Sequence, residues 1–169
     1  MRAKNLAAIL LLLAVPLPSA TLPQNSNNLY LVEKIYVGER GFSSREAGAR
    51  EKRMNSYLKQ ELAAAGFVIV EDKNKADAVL SGSQGVAVVA DGPQPDPPEH
   101  DYEYRLTPAG VEDLWESKGR LWEAEVSIRS KLDEPEVDRM AAPKLVGKLV
   151  RAWLKSAKKA GLKTGNKVR

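Results

Sequence analysis

The chain has 169 residues, 43% of them hydrophobic, which is enough for one folded domain whose core needs neither disulfide nor metal. It has no cysteine and one histidine, His100, which excludes disulfides, thiolate zinc sites, a cysteine nucleophile, a lipid-modified cysteine and a histidine-rich metal centre. Its formal charge of +4 is unevenly placed: Arg2 and Lys4 open the chain, ten basic and no acidic residues lie between Arg139 and Arg169, and residues 21–138 carry a net −8.

At the N-terminus, Arg2 and Lys4 precede an apolar run from Leu6 to Val15 and a small-residue end at Pro16 to Ala20. Ten apolar residues make about 15 Å of helix, too short for a bilayer, so residues 1–20 read as a secretory signal peptide. Cleavage is expected after Ala20, although Pro18 stands where a small residue is preferred, and an uncleaved anchor is the alternative. With no cysteine to acylate, the expectation is a periplasmic protein that is not a lipoprotein.

Residues 21–28 are polar and read as a flexible lead-in to a single domain over 29–160. LYLVEKIYVG, Leu29 to Gly38, is rich in β-branched and aromatic residues and predicts a first strand. Ser43 and Glu46 form a capping box, and Met54, Tyr57, Leu58, Leu62 and Ala65 recur at helical spacing until Gly66 ends the helix. FVIVED, Phe67 to Asp72, is a short strand that completes a βαβ unit. Ala76 to Gly92 reads as a longer extended segment, bent or bulged at Gly82 and Gly85. The prolines of Asp91 to His100 predict an exposed loop.

Beyond that loop, YEYRLTP reads as extended and SKGR, Ser117 to Arg120, as the turn of a β-hairpin whose second arm, Leu121 to Ile128, alternates wet and apolar. KLDEPEVDR links to a final helix over 144–160, and 161–169 is a basic tail. The order β-α-β-β-β-β-α predicts an α/β (α+β type) domain: a mixed sheet of four to five strands with two long helices on one face.

This order, together with the A-D-h-h-L-x-G pattern (h apolar) at Ala76 to Gly82 and a tryptophan after a glycine turn in SKGRLWEA, resembles a group of bacterial envelope proteins. The group is related in architecture to the TolB amino-terminal domain, the curli-secretion protein CsgG and the lipoprotein activators of peptidoglycan synthases. The resemblance covers roughly Leu29 to Lys159 and implies a non-enzymatic module that binds other envelope proteins. It carries over no binding residue, and the lipid-bearing cysteine of the anchored relatives has no counterpart here.

Catalytic readings are thin. Ser56 and Lys59 fit S-x-x-K and Lys163-Thr164-Gly165 fits K-T-G, but the spacing relative to elements is wrong and S-D-N is absent. SGSQG around Ser83 approximates a nucleophile elbow whose base would have to be His100, which leaves a small hydrolase as an alternative. Asp91, Asp96, Glu99, His100 and Asp101 share a loop broken by prolines that suits solvated acids better than a metal. No cofactor is expected. Trp115 and Trp122 flank the SKGR turn as possible aromatic contacts, but the acids around them repel phosphate, so nucleic acid is not an expected partner.

In the last helix Lys144, Lys148, Arg151, Lys155, Lys158 and Lys159 fall within an arc of roughly 100°, with Ala142, Leu145, Val146, Leu149, Val150, Trp153 and Ala157 on the other side. A helix docked on a sheet has this pattern, and so does an interfacial membrane helix. Docking is the expected state, since a sheet of four or five strands needs about two helices to cover a face. Another envelope protein would then bind at the sheet edge, the aromatic hairpin or the ridge of six cations, and an anionic membrane surface would meet the ridge. The sequence does not fix the oligomeric state.

Overall fold

In the computed structural model, which describes residues 26–38, 45–86, 92–110 and 119–162, the alternation of apolar and polar side chains is resolved into one mixed sheet. Its strands are β1 (Lys34–Val37), β2 (Val68–Ile69), β3 (Ala78–Val86), β4 (Glu99–Pro108) and β5 (Trp122–Arg129), in the order β2-β1-β3-β4-β5. β1 runs parallel to β2 and β3, and the β3–β4 and β4–β5 pairs are antiparallel. Helices α1 (Arg45–Ala64) and α2 (Glu134–Lys159) give the chain the β-α-β-β-β-β-α order and the fold class that its sequence predicts.

His100, Tyr102, Tyr104 and Leu106 of β4 are all buried beneath the helices, while the residues between them face the other side. Met54, Leu58 and Leu62 supply the stripe of α1, and Val137, Ala141, Ala142, Leu145 and Leu149 that of α2. Leu58, Leu80, Tyr104, Leu145 and Leu149 meet in one place, so both helices lie on the same face of the sheet. Asp77, the acidic residue of the A-D-h-h-L-x-G pattern, joins the parallel strands. Its Oδ2 accepts the amides of Glu33 (3.0 Å) and Lys34 (2.7 Å) at the start of β1.

Several expectations are corrected. Ser26 to Asn28, the described end of the polar lead-in, and the start of the predicted first strand form a short 3-10 helix, Ser26–Leu31, because Leu29 and Val32 insert into the core and the Tyr30 amide donates to Ser156 Oγ at 3.3 Å. α2 begins ten residues before the predicted start, at Glu134, since the Asp133 side chain caps the Glu136 amide at 3.2 Å. Gly66 closes α1 as predicted, at φ 93°. The capping residue Ser43 and the first arm of the predicted hairpin, with Trp115, lie outside the described residues.

β3 carries no bulge, for its register against β4 is unbroken from Ala78 to Val86. Gly82 is there for a different reason: a Cβ would collide with the Tyr104 ring and the Glu103 carbonyl across the ladder. A Gly82→Ala variant is therefore expected to lose about 1–3 kcal/mol, the usual cost of overpacking a filled site. Chemical denaturation compared with Gly85→Ala, whose Cβ would meet nothing within 4 Å, is the check.

Candidate functional site

A carboxylate with no exposed surface sits where α1, α2 and β4 meet. Asp138 lies on the apolar stripe of α2, its Oδ1 accepting the Tyr102 hydroxyl at 2.8 Å and its Oδ2 the Arg53 Nε at 3.0 Å. Arg50 approaches Oδ1 at 3.6 Å and also donates to Glu134 at 3.0 Å. Both carboxylate oxygens thus have donors, which is the condition for burying such a charge. Burial raises the Tyr102 pKa far above the ordinary phenol value of 10.0, and the bond to Asp138 raises it further, while Arg50 acts the other way. A phenol so held does not act as an acid or base near neutral pH, and the cluster serves to join the helices to the sheet.

His100 opens no loop site. It lies within β4, 5% exposed on the helix side, and neither ring nitrogen has a hydrogen-bond partner. The buried Gln84 Oε1, on the neighbouring strand and same face, is likewise unpartnered. Ser83 is on the opposite face, across from Glu103, so the sheet separates it from the histidine that an elbow serine would need. Asp101 also points away from His100, and no group of three metal-binding side chains occurs among the described residues. Ser56 is exposed on α1, and Lys163-Thr164-Gly165 lies outside the described residues.

A groove of about 370 Å³ runs between β5 and α2. Glu125, Val126 and Ser127 form one wall, and Pro143, Lys144, Gly147, Lys148 and Arg151 the other. β5 ends the sheet, and no strand pairs with its outer edge among the described residues. The amide of Ser130 reaches Pro98 O across the ladder at 3.1 Å, so even-numbered residues of β5 direct their backbone groups to β4. Odd-numbered ones direct theirs outward, and one of them, the Glu125 carbonyl, accepts the Lys148 ammonium.

All six predicted cations of α2 are exposed, and none makes an ion pair among the described residues. Only Lys144, Lys148 and Arg151 line the groove, while Lys155, Lys158 and Lys159 continue toward the far end of the helix. The apolar face of α2 is spent on the core, and Trp153 Nε1 donates to Val32 O at 3.2 Å. No helix among the described residues is long and apolar enough to cross a membrane. Trp122 is half-buried and packs on the core. The sequence points to the strand edge as a binding element, but not to its pairing with these three cations. The alternation of Glu123 and Glu125 with Ala124 and Val126 is the signal that could have placed it beside α2.

No family model and no curated protein matches the sequence. Among solved structures the chain is similar to the PelC dodecamer from Paraburkholderia phytofirmans, at 18% identity and TM-score 0.45, over 70% of this chain and 87% of that one. It is also similar to a minor lipoprotein from Acinetobacter baumannii, at 14% and 0.42, over 76% and 96%. A DUF4136 family protein from Bacteroides thetaiotaomicron matches at 9% and 0.40, over 79% and 90%. The likeness is one of architecture. One of these similar structures is named a lipoprotein, which runs against the expectation of a periplasmic protein that is not a lipoprotein.

The weight of the buried cluster is measurable as stability. Asp138→Asn leaves the arginines facing a neutral amide and is expected to cost about 3 kcal/mol or more. The native Tyr102 phenol keeps its proton where the unfolded one, near 10.0, loses it. Its contribution is therefore complete below about pH 10 and lost as pH rises further. Urea titrations from pH 8 to 11 should show a decline in the wild type that is shallower in Tyr102→Phe, and equal declines would show that Tyr102 does not carry the effect.

Proposed function

We propose that this chain is a non-enzymatic protein of the bacterial envelope that binds an acidic protein partner at the groove between β5 and α2. One observation carries the reading: Lys144, Lys148 and Arg151, exposed and without ion pairs, converge on a strand edge that pairs with nothing else among the described residues. Cations left uncompensated on a rigid helix steer acidic partners and set their orientation. The non-enzymatic half is supported by the opposite facing of Ser83 and His100 and by the engagement of Asp138 with Tyr102 and Arg53. A docked helix also offers its ridge to anionic lipid, but its apolar face is committed to the core and adds nothing to insertion.

Labelled deca-glutamate is the probe. Its binding to the full chain, followed by anisotropy, should weaken steadily with added salt. Replacing Lys144, Lys148 and Arg151 together by Glu should weaken it by about tenfold or more, while Lys158→Glu with Lys159→Glu changes it by about threefold or less. The charged positions are exposed, so folding should be preserved within about 0.5 kcal/mol per site. Equal losses from the two sets, or tighter binding to phosphatidylglycerol vesicles than to the peptide, would count against the groove as a protein site.

A further inference from the structure

We infer that the groove takes its partner as an added β-strand, and that it selects a segment in which acidic residues alternate with hydroxyl or basic ones. This rests on the reading of the groove as a site for an acidic protein and goes on to specify the conformation and the pattern of the bound segment.

The backbone supplies the first half. β5 is eight residues long, and Glu123, Glu125, Ser127 and Arg129 direct their N–H and C=O groups away from β4. An incoming extended chain can pair with that row, since its hydrogen bonds need no particular side chains. The only occupant of the row among the described residues is Lys148, whose ammonium covers the Glu125 carbonyl. A lysine on an exposed carbonyl is held weakly and can swing to a carboxylate brought alongside.

Side-chain chemistry supplies the second half. A strand beside β5 turns alternate side chains to the two faces of the sheet. One set meets the helix side of the groove, where Lys144, Lys148 and Arg151 stand, and acids suit it. The other set meets the open face. There Glu123 is already paired with Arg105 at 2.7 Å, but Glu125 lies opposite Glu103 and has no cation partner among the described residues. An acid on this side is repelled, and a hydroxyl or a base is accepted.

A second copy of the chain is the competing occupant. Pairing two β5 edges would bring both sets of Lys144, Lys148 and Arg151 to the same joint, six like charges around one seam, which disfavours it.

The test uses the full chain, 15N-labelled, with a capped octapeptide of alternating Thr and Glu. The expected result is slowed hydrogen exchange at the Glu125 and Ser127 amides and at least tenfold weaker binding of an alternating Thr-Lys peptide. Methylating every second peptide nitrogen, on the residues that would pair with β5, removes up to four ladder bonds and should weaken binding by about tenfold or more. Ser127→Pro removes an outward N–H and should do the same without disturbing the β4 ladder. The methylated peptide makes the same point on the unaltered protein. If oligoglutamate and the methylated peptide bind as tightly as the Thr-Glu peptide while exchange at Glu125 and Ser127 is unchanged, the groove holds acids without forming a strand and the inference fails alone. If no acidic peptide binds at all, the functional reading fails with it. Concentration-dependent dimerisation that protects Glu125 and Ser127, and that the peptide does not reverse, would assign the edge to a second copy and overturn the inference.

Discussion

The arrangement depends on a carboxylate that has no contact with water. Asp138 is drawn into the junction of two helices and a strand, where Tyr102 and Arg53 satisfy both of its oxygens. A buried carboxylate without donors is among the most unfavourable groups a fold can hold, so α2 can settle only where those two donors reach it. Apolar contacts alone set no such register, because Leu145, Val146 and Leu149 could pack nearly as well a turn away. The polar cluster therefore chooses one position among several that the hydrophobic effect would permit.

With its first turns held there, the rest of α2 is placed by two further contacts. Val137 to Leu149 cover the sheet, and the last turns reach the approach to β1 through Trp153 on Val32 and Ser156 on Tyr30. A helix fixed at both ends has no freedom to rotate. Its polar arc must face outward, and where α2 passes β5 that arc becomes one wall of the groove. The external charge pattern is thus a consequence of internal packing. It would stand where it does even if selected only for solubility, which is why its pairing with a strand edge matters more than the charge itself.

Much of the architecture is legible in the sequence because period two and period 3.6 are strong signals: the succession of strands and helices along the chain, the stripe of α1 and the outward ridge of α2 follow from them. What was not legible depends on tertiary partners. Leu29 to Leu31 has strand composition, yet its 3-10 geometry comes from residues more than a hundred positions away. His100 looks like part of a proline-rich loop because β4 begins only one residue earlier. Asp138 passes for a solvated acid in EPEVDR, although its spacing to Ala141, Ala142 and Leu145 puts it on the apolar stripe, and that misfit was the available clue. Gly82 announces a bend by composition, but the cause of its small size is a ring on the adjacent strand.

The two ends of the sheet meet the hazard of an unpaired edge in different ways. β2 is only two residues long and offers almost nothing to a foreign strand. β5 is four times longer and is guarded by charge: Lys148 occupies one of its carbonyls, and Lys144 and Arg151 stand over the same stretch. A guard of this kind discriminates. A neutral strand must displace the ammonium and leave it without an acceptor, and a basic strand meets repulsion as well. A strand with carboxylates on the helix side replaces one weak surface contact, worth about 1 kcal/mol or less, with several of the same kind. On the proposed function, the charge that keeps the edge from pairing indiscriminately is also what defines the chain that can join it.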